Sequence, residues 1–362
     1  IRRKVKKQLR TNQQPFSQQR NFIRKFNRKQ PYSLFMFATL SIMLVIIMIP
    51  TIVVHIANKP TETTNSEPNE IPTFHEVMKN EPAIEVSVKR EETGEVESVS
   101  LEQYVKSVVA SEMPAHFNEE ALKAQAIAAR TYIVNHLMHD KDEMISDTTN
   151  HQVYRNEAEL RALWGADFDW KWEKITRAVE ATKSLIITYD DKPITPTFFS
   201  MSNGYTEDAK YYWGNEFPYL KSVESKWEES LPNFTTQEIF ATQEVKEKLN
   251  ISYTENPIPI NIKRTPSNRV SEISFGGQSF SGREVREKLN LRSTDFSIEQ
   301  KNGHLVFTTK GYGHGVGMSQ YGANGMAEEG KTYEEILAYY YHGINITEIS
   351  EEETPHLLAI NK

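Results

Sequence analysis

The chain has 362 residues, no cysteine and a formal net charge of −7, with 16 glycines and 16 prolines. The absence of cysteine excludes disulfides, thiol nucleophiles, cysteine-ligated zinc and iron–sulfur chemistry. The acid–base balance is uneven: residues 1–30 carry eleven Lys and Arg and no acid, so the remainder is more acidic than the total suggests.

The basic arm (1–31) precedes an uncharged, almost wholly apolar stretch at 32–57. About 20 apolar residues suffice to cross a bilayer, so Leu34–Ile56 is expected to span, with the basic arm on the cytoplasmic side. This position explains the arm without nucleic-acid binding. The stretch is too long for a secretory signal. Residues 58–80 are polar and proline-bearing and read as a stalk. The expected fold is therefore a single-pass N-terminal transmembrane helix followed by one mixed α/β ectodomain with a substrate cleft, residues 81–350, and a short tail at 351–362. The expected localisation is a cell membrane, ectodomain outside.

Within the body, Ile84–Lys89 and Val96–Val99 alternate as a hairpin around Thr93-Gly94. Ser100 with Gln103 opens a helix that Pro114 must end, which sets Glu112 at or beside its last turn. The negative end of a helix dipole disfavours a carboxylate there and raises its pKa, as a general acid needs. Asn118 caps a second, alanine-rich helix interrupted by Arg130. His136–Tyr154 reads as a loop, Trp170–Thr182 as an amphipathic helix, and Leu185–Tyr189 with Ile194–Ser200 as a strand pair. A small-residue loop, Ser200 to Gly204, leads to aromatics at Tyr205, Tyr211, Tyr212, Trp213 and Tyr219.

Residues 226–310 say least: Phe234–Leu249 and Ser281–Leu289 read as helices, Ser271–Phe275 and Leu305–Thr309 as strands, with no internal repeat. The segment 310–343 alternates Gly311, Gly313, Gly315 and Gly317 around His314, then runs through Ser319 and Gln320 into two helices, the second capped by Thr332 and Glu335. Its spacing fits neither GxxxxGK[ST] nor GxGxxG, which excludes nucleotide binding. No GxSxG marks a serine hydrolase. His136, His139 and His151 could in principle meet at a zinc ion, but they lack HExxH spacing; no metal or other cofactor is expected.

Together SEMPAHFNEEALKAQAIAARTY, the SNGYTE loop and GYGHGVGMSQYGANGMA resemble the stage II sporulation protein D (SpoIID-like) family over roughly residues 80–345. The resemblance implies a lytic transglycosylase that cleaves the bond between N-acetylmuramic acid and N-acetylglucosamine in peptidoglycan during forespore engulfment. It also implies partners: peptide-stripped glycan strands, a cell-wall amidase and a membrane protein of the engulfment complex. It makes Glu112 the catalytic acid and base, and Arg130, Tyr219 and Lys221 substrate-positioning groups. Ser202 and Tyr205, with His314, Ser319 and Gln320 on an opposite wall, complete the expected substrate site. One glutamate without a partner carboxylate suits this chemistry, because the nucleophile is the substrate's own C6 hydroxyl. The rival expectation is a glycan-binding scaffold that recruits or activates an amidase.

Overall fold

The computed structural model describes residues 84–139, 144–255 and 257–349. Strands β1 (Glu85–Lys89) and β2 (Val96–Ser100) form the hairpin, and β3 (Ile145–Ser146) adds to β1 in parallel. Helix α1 (Leu101–Glu112) starts where the Ser100 hydroxyl accepts the Gln103 N–H. It stops one residue before the extended Met113, as the following proline requires. Helix α2 (Glu119–His139) is the centre of the molecule: Ala121, Ala124, Ala126, Ala128 and Ala129 are all fully buried. A helix buried on most faces has to carry small side chains so that neighbours can approach. Those neighbours include α1 and α4 (Phe168–Glu180), which follows α3 (Glu157–Trp164).

Strand β4 (Leu185–Tyr189) also packs on α2 and turns into β5 (Lys192–Pro193) through Asp190 and Asp191, both left-handed, as a two-residue hairpin turn demands. Strands β6 (Phe198–Phe199) and β7 (Gly204–Tyr205), helix α5 (Ala209–Trp213) and strand β8 (Glu224–Ser225) follow. The chain then leaves this core to build a second one. Strand β9 (Thr235–Ala241), helix α6 (Thr242–Leu249), strands β10 (Ile260–Arg264), β11 (Val270–Phe275) and β12 (Gln278–Ser281), helix α7 (Gly282–Leu289), and strands β13 (Phe296–Lys301) and β14 (His304–Lys310) enclose Val245, Leu249, Ile273, Phe275, Val285, Leu289 and Phe307. The chain returns through β15 (Met318–Ser319), α8 (Gln320–Glu328), α9 (Tyr333–Tyr340) and β16 (Asn345–Glu348), with α8 and α9 on α2 and β16 paired to β4.

The expected architecture is corrected in one respect. Among the described residues no helix is long and apolar enough to cross a membrane; the expected span at 32–57, with the arm, stalk and C-terminal tail, lies outside the described residues. The described part is mixed α/β and buries two hydrophobic clusters.

Residues 235–241 form a strand, not the start of a helix. Their alternating exposure and their pairing with β14 across seven residues decide it. The 226–310 region also contains a repeat missed in the sequence: VKEKLN (245–250) and VREKLN (285–290) are two short helices, each burying its Val and Leu and each ending on a left-handed Asn.

Candidate functional site

Glu112 is the last residue of α1. Its Oε1 accepts the Val153 N–H at 2.8 Å. Burial raises its pKa; the Val153 bond and the charge of Arg155 oppose that rise without cancelling it. Burial, rather than the helix end, is thus the main cause of the perturbation.

The loop supplying Val153 is anchored on both sides. Tyr154 stacks on Tyr104 with centroids 5.7 Å apart, and the Tyr104 hydroxyl donates to Gln152 Oε1 at 3.1 Å. Arg90 of the β1–β2 turn then ties the loop to the hairpin. Its guanidinium donates to Asp147 at 2.9 Å, Glu97 at 3.1 Å and Glu159 at 2.5 Å, while the Tyr154 hydroxyl donates to Glu97 at 3.0 Å. The His151 ring meets Ser146 Oγ at 2.9 Å through Nδ1 and the edge of His136 at 5.5 Å.

From His136 the surface opens into a cavity of about 720 Å³, lined by Tyr132, Asn135, His136 and His139 of α2 and by Lys192, Pro193 and Thr195 across from them. The Tyr104 hydroxyl, whose pKa burial drives well up, also feels both Tyr132 and Glu112. Glu112 itself is not among the residues that line this cavity.

None of the other expected site residues is in this lining either. Arg130 is fully buried: Nε and Nη2 grip Glu102 at 2.9 and 2.7 Å, and Nη1 donates to the Leu185 carbonyl at 3.1 Å. Two residues along a helix lie about 200° apart, so Arg130 fastens α1, α2 and β4 on the side opposite Tyr132. Tyr219 comes nearest, its hydroxyl accepting the N–H of the cavity residue Thr195 at 3.2 Å. Lys221 lies 3.6 Å from Asp208 and 3.4 Å from Glu216. Tyr205 is half exposed.

Ser202 and Ser319 are buried, and both bond the wholly buried Glu228, through the Ser202 N–H at 3.2 Å and the Ser319 hydroxyl. Gln320 donates to Gln125 at 3.4 Å. His314 has both ring nitrogens engaged by backbone: Nε2 donates to the Phe198 carbonyl at 2.9 Å and Nδ1 accepts the Val316 N–H at 3.1 Å. Burial and the neighbouring arginines push its pKa down to about 3, so the ring is neutral. This cavity is walled by α2 and residues 192–195, with neither Glu112 nor any of 311–317 in its lining, so it is a different place from the cleft expected between the glutamate helix and the glycine loop.

The two long motifs do meet, behind the acid. Phe117 packs edge-on against Tyr321 at 4.8 Å, the Asn118 N–H donates to Asn324 Oδ1 at 2.7 Å, and the Asn118 side chain donates to the Ala327 carbonyl at 3.2 Å. The glycine segment thus braces the turn that follows Glu112. Its own glycines are demanded by close approach: a Cβ at Gly317, φ 79°, would stand 2.0 Å from the Thr197 carbonyl oxygen. Among the described residues no three His, Asp or Glu side chains gather as metal ligands, the His136, His139 and His151 set included.

Sequence reasoning missed Arg90 and the α3 cap. The cap was legible: Asn156 and Glu159 form a capping box, the N-x-x-E signature. Arg90 had no local signal, because its partners lie up to 69 residues away.

Comparison with known proteins places this arrangement. A family model described as Stage II sporulation protein matches residues 89–189, which hold Glu112, the Val153 loop, α2 and β4. Stage II sporulation protein D of Bacillus amyloliquefaciens is 42% identical over 318 residues, 84% of this chain and 92% of that protein. Its namesake in Bacillus subtilis is 44% identical over 75% of this chain and 81% of the relative. A Bacillus subtilis protein named amidase enhancer is 29% identical over 67% of this chain but 40% of its own length. With two relatives above 40% identity covering most of both partners, this chain belongs to the stage II sporulation protein D family.

Proposed function

We propose that the protein cleaves peptidoglycan glycan strands as a lytic transglycosylase, with Glu112 as its one acid and base. The observation that carries this reading is Glu112 itself, a largely desolvated carboxylate with a raised pKa, held by one backbone N–H within the segment that the family model matches. In the acid form, Glu112 protonates the oxygen bridging N-acetylmuramic acid to N-acetylglucosamine. The muramyl C6 hydroxyl attacks C1 as that bond breaks, and the carboxylate takes the hydroxyl proton. Glu112 is then protonated again, the leaving sugar keeps a free 4-hydroxyl, and the muramyl end closes to a 1,6-anhydro ring. No water enters, so no second carboxylate is required. Such a substrate sets the site of action outside the cytoplasm.

We place this action in forespore engulfment, beside a membrane protein of that process; the relatives named for stage II of sporulation support its sporulation setting. The relative named amidase enhancer supports action alongside an amidase, which in this reading is the cell-wall enzyme that strips stem peptides. That name also favours a second reading, a non-catalytic glycan-binding scaffold for the amidase.

Mass spectrometry of products from peptide-stripped strands separates the two. Lytic cleavage yields ends one water lighter than hydrolysis, and Glu112→Gln stops their release while the protein stays folded. Reducing ends, or release undiminished in Glu112→Gln, would overturn the mechanism.

A further inference from the structure

Where the second hydrophobic cluster meets the glycine segment, four guanidinium groups surround a set of rings. Arg286 donates to the Tyr212 hydroxyl at 3.2 Å and to the Leu291 carbonyl at 3.3 Å, and Arg283 lies 5.3 Å from the centre of the same Tyr212 ring. Arg292 lies 4.4 Å from the ring centre of Tyr312, which is 46% exposed, and its carbonyl accepts the Gly313 N–H at 2.9 Å. Arg269 is 1% exposed; one nitrogen donates to the Tyr205 carbonyl at 3.4 Å, while Nε and Nη1 have no partner. Nε of Arg292 is likewise buried and unpartnered.

Glu207 and Asp295 act on Arg269 by charge, but the acids nearby have their hydrogen bonds committed elsewhere. Glu287 pairs with Arg283 at 2.7 Å. Glu207 is taken up by the hydroxyls of Thr265 and Ser267 at 2.7 and 2.8 Å, and Asp295 by Arg264 at 3.1 Å and Asn203 at 2.9 Å. Among the described residues, Arg269, Arg286 and Arg292 have no ion pair with any carboxylate. In a chain of net charge −7 this is a local reversal of sign. Buried guanidinium donors without acceptors are costly, and a planar fork beside an exposed tyrosine suits an anionic sugar: the fork takes a carboxylate two bonds at a time, the ring covers a sugar face.

We propose that Arg286, Arg292 and Tyr312 form a second glycan subsite, with the buried Arg269 adding positive charge beneath it, that binds a carboxylate-bearing sugar: a muramyl residue whose lactyl carboxylate has been freed of its stem peptide. The identity of the polymer rests on the function proposed above; the binding step does not depend on Glu112 chemistry. Phosphate-bearing wall polymers present similar anionic chemistry and are the alternative source.

The test is a binding titration of the full chain and of its Arg286→Met/Arg292→Met and Tyr312→Ala variants, with circular dichroism to confirm that each is folded. The probes are peptide-stripped glycan strands, the same strands with lactyl carboxylates methyl-esterified, and wall teichoic acid. The expected result is at least tenfold weaker binding of stripped strands by the double-arginine variant, with a shallower salt dependence, and a smaller loss for Tyr312→Ala. Esterified strands should bind the unmodified protein and the double variant alike. Equal binding of stripped strands by both proteins, equal losses on esterified strands, or tighter binding of teichoic acid than of stripped strands would each overturn the proposal. Because binding is read without turnover, failure to find anhydro products would sink the catalytic reading and leave this one standing.

Discussion

Arg90→Met removes the centre of the network that holds the Val153 loop against Glu112. The bond to Asp147 joins two side chains that are 13% and 14% exposed. A charge-assisted hydrogen bond in such a setting is worth about 1.5–3 kcal/mol. The contacts to Glu97 and Glu159, 32% and 44% exposed, add about 0.2–1 kcal/mol each. Since one guanidinium serves all three, they will not add in full, and the expected loss is about 2–4 kcal/mol in urea denaturation. Function should change as well. The Val153 N–H stabilises the charged form of Glu112; a loosened loop weakens that bond, and the carboxyl holds its proton to a higher pH. The alkaline limb of the rate profile, which reports loss of the acid form, should therefore move upward in Arg90→Met, and Arg90→Lys should move it less. A profile whose limb stays put, or moves down, while stability falls would show that Arg90 supports the fold without setting the acid.

Three further outcomes follow from the geometry. Glu112→Gln should stabilise the protein at pH 7. The folded state holds the Glu112 proton more tightly than the unfolded chain, so stability falls as pH rises from the ordinary carboxyl value of 4.5 through the raised one; the advantage of Gln should vanish in denaturation curves taken below pH 4.5. Arg130→Met should cost about 3–5 kcal/mol in the same assay, since it strands Glu102 and empties the joint between α1, α2 and β4. Gly317→Ala should cost at least about 1–3 kcal/mol, because its left-handed backbone and the nearby Thr197 carbonyl leave no room for a Cβ; loss of thermal stability measures it.

How far the sequence could be read depended on how far each residue's partner lay along the chain. Glu112 at a helix end was legible because Pro114 is two residues away and acts through local sterics. Arg130 was visible as an interruption of an alanine run, yet its role is set by Glu102, 28 residues upstream, and by a carbonyl 55 residues downstream. Thr235–Ala241 passed for helix because no breaker separates it from α6; a strand more than sixty residues later overrides that local pattern. His314 sat in a conspicuous glycine run, but its neutrality follows from burial and from Arg286, Arg269 and Arg283, side chains about 30 to 45 residues earlier.

The second hydrophobic cluster begins and ends on neighbouring strands: Thr235 pairs with Lys310, and the Gly311 N–H donates to the Phe234 carbonyl at 2.9 Å. Paired strands run about 5 Å apart, so the chain enters and leaves the 235–310 segment at one place, while bonds of Thr265 and Ser267 with Glu207, Asp295 with Asn203 and Arg286 with Tyr212 fasten it to the rest. A short connector from Phe234 to Gly311 could bridge that gap without moving the flanking backbone. Removing the segment would nevertheless strip Glu207, Asn203 and Tyr212 of their hydrogen-bond partners, so the neighbouring seam would have to be rebuilt as well.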